Sequence, residues 1–74
     1  MVVNVKLDDK GRRGKVVTII SGIQHNPQVI EQMAKDLKKL CGAGGTWYKK
    51  TIEIQGDHVQ KIKKYLSGKG IDVK

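Results

Sequence analysis

The sequence predicts an α+β fold, a two-layer sandwich with two helices packed on one face of a mixed β-sheet, in the order β-β-α-β-β-α-β. Three observations lead there. Apolar residues alternate at period two near the N-terminus and again after residue 50, they recur at helical spacing in two lysine-rich stretches, and glycine-containing breaks separate these segments. The 74 residues read as a single domain, 1–74. A chain of this size buries only about 60% of the surface its unfolded form exposes, so most apolar residues are needed for the core.

The first strand is read from Val2 to Leu7, where Val3, Val5 and Leu7 alternate with Asn4 and Lys6 and are expected to point inward. Asp8 to Lys15 carries two glycines and no apolar residue, which predicts an exposed loop. Val16-Val17-Thr18-Ile19-Ile20 is β-branched throughout and predicts a second strand, antiparallel to the first. Asn26-Pro27 then supplies a cap and a first helical residue. From there to Cys41, residues Val29, Ile30, Met33, Ala34, Leu37, Leu40 and Cys41 share one helical face.

Thr46-Trp47-Tyr48 and Thr51 to Gln55 read as two strands of a tight hairpin. Asp57-His58-Val59-Gln60 fits a capping box, with Asp57 as the cap of a second helix. Val59, Ile62, Tyr65 and Leu66 form that helix's apolar stripe, Ser67 to Gly70 ends it, and Ile71-Asp72-Val73 supplies a last short strand.

Catalytic and ligand chemistry find little footing. CGAGGT, Cys41 to Thr46, has three of the nine glycines but lacks the Lys-Ser/Thr pair of a phosphate loop. It also follows a helix, so its first glycine lies near the carbonyl end, where anions are disfavoured. Trp47 stands where a dinucleotide fingerprint would need its third glycine. The segment is better read as a helix stop, with Gly42 as the left-handed cap. One Cys, with His25 and His58 each sixteen or more residues away, does not make the close four-ligand set of a zinc site. No metal, cofactor or enzymatic activity is expected. With 38% hydrophobic residues, no possible internal disulfide, no signal-peptide core and no apolar run near the ~18 residues of a membrane span, the expected compartment is the cytoplasm.

Charge carries the functional signal. Fifteen Lys and Arg stand against seven Asp and Glu, a net of +8 that favours a polyanionic partner. Lys10, Gly11, Arg12, Arg13, Gly14 and Lys15 crowd the first loop, where glycines let a basic segment follow a phosphate backbone. Lys35, Lys38 and Lys39 on the first helix, and Lys61, Lys63 and Lys64 on the second, add a further basic area. Single-stranded RNA readers usually stack bases on aromatic side chains, and only Trp47, Tyr48 and Tyr65 are present. Structured RNA held through its phosphates fits better, and an in-plane membrane helix fits worse because the aliphatic stripes are needed for the core.

Three segments in order, KGRRGKVVTIISG, LCGAGGT and IEIQGD, resemble the Sui domain of the translation initiation factor 1 family, most closely its short archaeal and bacterial members. The resemblance runs from about Lys10 to Val73. It implies a small α/β domain that binds the small ribosomal subunit, through rRNA, near the P site and promotes start-codon and initiator-tRNA discrimination; the chain is expected to act as a monomer. Initiator tRNA and mRNA are then further candidate partners. The family's ribosome-directed loop carries over onto Lys10, Gly11, Arg12, Arg13, Gly14 and Lys15, with Lys35, Lys38 and Lys39 in support. Two other readings stand beside it: a general basic RNA-binding protein or RNA chaperone without start-site specificity, and a protein-interaction module using an exposed Trp47-Tyr48 hairpin.

Overall fold

A computed structural model describes residues 2–9 and 15–74. Lys10, Gly11, Arg12, Arg13 and Gly14, five of the expected site residues, lie outside the described residues. The elements are β1 (Val2–Asp8), β2 (Val17–Ser21), α1 (Pro27–Cys41), β3 (Gly45–Tyr48), β4 (Thr51–Gln55), α2 (Val59–Gly68) and β5 (Asp72–Val73). The strands form one sheet in the order β3-β4-β2-β1-β5. β1 pairs antiparallel with β2, β2 with β4 and β4 with β3, while β5 joins β1 in parallel, so the sheet is mixed.

Register explains the core. Val5, Ile20, Ile52 and Trp47 stand opposite one another across four strands, so their side chains share one face. Val3 and Ile54 join them, and this face meets Ile30, Ala34 and Leu37 of α1 and Ile62 and Leu66 of α2. α1 lies over β3 and β4, and α2 over β1 and β5. Each fully buried Ile or Leu contributes roughly 1.5–3 kcal/mol, so this one cluster is the main source of stability. The opposite face of the sheet carries Lys6, Ile19, Glu53 and Thr46 in one row and is not covered by either of the two described helices.

α1 ends as its sequence dictates. The Asn26 side chain accepts from the Val29 amide at 2.9 Å, Pro27 fills the first position, and Gly42 closes the helix in the left-handed region at φ 60°, ψ 34°.

The start of α2 differs from the capping-box expectation. Its cap is His58, with no side-chain capping bond from that residue, and Asp57 Oδ1 lies 3.4 Å from the Val59 amide, at the limit of a hydrogen bond. Thr18 in β2 does the work instead: its hydroxyl donates to the Gly56 carbonyl at 2.7 Å and accepts from the His58 amide at 2.9 Å. Thr18 is fully buried, so these bonds also satisfy a hydroxyl that would otherwise be costly inside.

Two burial expectations also need correction, one in each direction. Leu7 shares the face of Val3 and Val5 but is 45% exposed, because it sits two residues past Val5 at the loop end of the strand, opposite Thr18. Trp47, expected to be exposed, is partly buried against the core, whereas Tyr48, on the other face, is 72% exposed.

Candidate nucleic-acid interface

The pairing scheme gathers three chain connections at one end of the sandwich. Asp8 opposite Val17 puts the end of β1 beside the start of β2, so the described residues flanking the basic loop, Asp9 and Lys15, emerge there. Gln55 opposite Val17 brings the end of β4 to the same place, and the Gly56 amide donates to the Val16 carbonyl at 2.8 Å. The Gln55 amide in turn donates to the Gly44 carbonyl at 2.9 Å, which draws in the chain leaving α1.

Each connection has a local cause. Gly56 adopts φ 97°, a conformation that favours glycine at this corner, and a β-carbon there would lie 2.8 Å from His58 Nε2, so the imidazole would have to shift. His58 Nε2 also lies 3.0 Å from the Gln55 carbonyl, which ties the ring to the corner. Gly42 donates its amide to the Lys38 and Lys39 carbonyls and stops α1 with those two lysines in the last turn. Cations there are favoured by the carbonyl end of the helix, so their position costs the fold nothing.

Lys15, Lys38 and Lys39 therefore share this end, and Lys39 and Lys15 are exposed. Lys35 lies one turn back on α1, exposed; with Lys38 it borders a depression toward β3. Lys61 joins the group from α2. Burial raises the Cys41 thiol above its ordinary pKa and the charge of Lys61 acts in the opposite sense, which links the last residue of α1 to the first turn of α2. A thiol so shifted is a poor nucleophile at neutral pH, in keeping with its reading as a packing residue.

Lys61 was legible in the sequence only as part of a solvated helix face; its place in the first turn of α2, just after the Gly56 corner, brings it to this end. Between the Lys15 segment and β3, a shallow concavity of about 590 Å³ opens, lined by Val17, Thr46, Glu53 and Gln55 among others. Among the described residues, no group of three or more His, Cys, Asp or Glu is placed to hold a metal ion. No described helix is long and apolar enough to cross a membrane. What the end offers chemically is a set of ammonium groups on rigid helix and strand termini around the base of a basic loop.

Comparison with known proteins bears on the family of the chain. The sequence model of the family described as Translation initiation factor SUI1 matches residues 1–72. A protein translation factor SUI1 homolog of Thermoplasma volcanium is 50% identical over 66 residues, covering 88% of this chain and 66% of that relative. A protein named YciH in Salmonella typhimurium is 42% identical over 73 residues, covering 99% of this chain and 68% of its own length. A further SUI1 homolog, from Thermococcus onnurineus, is 47% identical over 62 residues, 84% of this chain and 63% of the relative. The chain thus spans about two thirds of the length of these relatives.

Proposed function

The chain belongs to the translation initiation factor SUI1 family, and from that premise we propose that it binds the small ribosomal subunit near the P site and promotes start-codon and initiator-tRNA discrimination, without catalysis. A role in translation initiation follows from the family; the ribosomal contact is our proposal. One observation carries it: Lys15, Lys38 and Lys39 lie at the end of the sandwich where Asp9 and Lys15, the described residues on either side of positions 10–14, emerge, and Lys61 is in the first turn of α2 just after the Gly56 corner there.

Such an end suits folded rRNA. Ammonium groups and guanidinium groups bind phosphates without reading bases, and a glycine-flanked pair of arginines adds planar, bidentate donors to that set. The scarcity of exposed aromatics favours recognition by shape and backbone over stacking on unpaired bases. Lys35, one turn behind Lys38, extends the basic surface along α1.

The test is co-sedimentation of the purified protein with small and large ribosomal subunits near 0.1 M salt, where the Debye length is about 10 Å. Saturable binding to the small subunit alone, lost in the Arg12→Ala/Arg13→Ala variant at unchanged thermal midpoint, is the expected result. Equal binding to both subunits would instead favour a general basic RNA-binding protein.

A further inference from the structure

The sheet has two edges, finished differently. β5 is two residues long, whereas β3 spans Gly45–Tyr48 and contains neither a charged residue nor a proline. Edge strands are usually blunted by such residues or by shortness, because an open row of amides and carbonyls invites another strand.

Register identifies the open groups. The Gln55 amide bonds the Gly44 carbonyl, so the opposed pairs 44/55, 46/53 and 48/51 exchange the ladder hydrogen bonds. Gly45 and Trp47 consequently aim their N–H and C=O groups away from β4, toward the edge. Beside this edge lies a depression of about 200 Å³ bounded by Glu31, Lys35, Lys38, Gly45 and Trp47.

We propose that β3 is a docking edge for an extended acidic segment of a partner protein, added as a further strand with its helix-side carboxylates over Lys35 and Lys38. The chemistry of the edge argues for this occupant. Alternating outward donors and acceptors match a peptide strand, while a phosphate backbone supplies acceptors only. Trp47 is partly buried against the core, so its ring is not presented for stacking a base. A second copy of the chain is opposed by the net charge of +8, which the same edge in an acidic partner would offset. This inference goes beyond the ribosomal reading: it shares Lys35 and Lys38 with that surface, but its own feature is the row of outward amides and carbonyls at Gly45 and Trp47, which the exchange measurement reads separately.

Residue-resolved amide hydrogen exchange on the full chain tests it, with a blocked heptapeptide alternating Glu and Val at millimolar concentration. A Lys/Val heptapeptide and a twelve-nucleotide oligouridylate serve as comparisons. Exchange at Gly45 and Trp47 should slow by about tenfold or more with the acidic peptide, while Thr46 and Tyr48, already in the ladder, change little. The Lys35→Glu/Lys38→Glu variant should weaken this binding about tenfold or more with α1 protection unchanged. Unaltered exchange at Gly45 and Trp47 at saturation, equal protection by the lysine peptide, or protection by the oligouridylate in place of the acidic peptide would each overturn the proposal.

Discussion

Lysines stand at both ends of the sandwich, and the two ends hold them differently. At the β3–β4 turn, Lys50 Nζ donates to the His25 carbonyl at 2.6 Å, and the Ile23 amide bonds the Lys50 carbonyl at 3.2 Å. Lys49, at φ 54°, places its ammonium 5.3 Å from the Tyr48 ring centroid, and Lys69 sits 5.2 Å from that of Tyr65. Both distances fall within the range of a cation–π contact. These lysines close a turn and a helix end. At the loop end, none of Lys15, Lys35, Lys38, Lys39 and Lys61 is held by a hydrogen bond or ring contact among the described residues. A lysine with no hydrogen bond or ring contact to surrender binds phosphate at lower cost, so among the described residues the same residue type is held at one end and not at the other.

The contrast can be broken at the joint that builds the loop end. Thr18→Val removes the bonds to Gly56 and His58 and leaves a part-buried carbonyl and amide short of a partner, so a loss of about 1–3 kcal/mol is expected in urea unfolding. Thr18→Ser should recover most of it; a Val variant as stable as the parent would mean that the corner is held by something else. Asn26→Ala, which uncaps α1 near the hairpin end, should cost about 1 kcal/mol in the same measurement. Asp57→Ala should leave the unfolding midpoint within error, because the 3.4 Å contact contributes little. A midpoint lowered as far as by Asn26→Ala would restore the capping box that the geometry lacks.

Those two caps show what was legible. Asn26 is read correctly because donor and acceptor are three residues apart, and the residue pattern that marks such a cap is local. Asp57 with Gln60 satisfies the same kind of pattern, yet a hydroxyl about forty residues upstream takes the position first. Thr18 looked like one more β-branched residue in a strand, since nothing along the chain reveals which partner a buried hydroxyl meets. The alternation of Val3 and Val5 transferred directly into the core, but Leu7 continued the period beyond the part of the sheet whose side chains meet the helices. The basic area on α1 was visible as a lysine-rich helical face. Its convergence with Lys61 depends on how two helices lie on a sheet, which periodicity does not encode.

The most direct test compares the two ends as binding surfaces. Small-subunit affinity would be measured across a salt series for Lys38→Ala/Lys39→Ala and for Lys49→Ala/Lys50→Ala. Each lost phosphate contact lowers the slope of log affinity against log salt by about one. The account predicts a slope reduced by about two for the α1 pair and unchanged for the turn pair, both variants remaining folded. Equal reductions in the two variants, or a reduction confined to the turn pair, would contradict it.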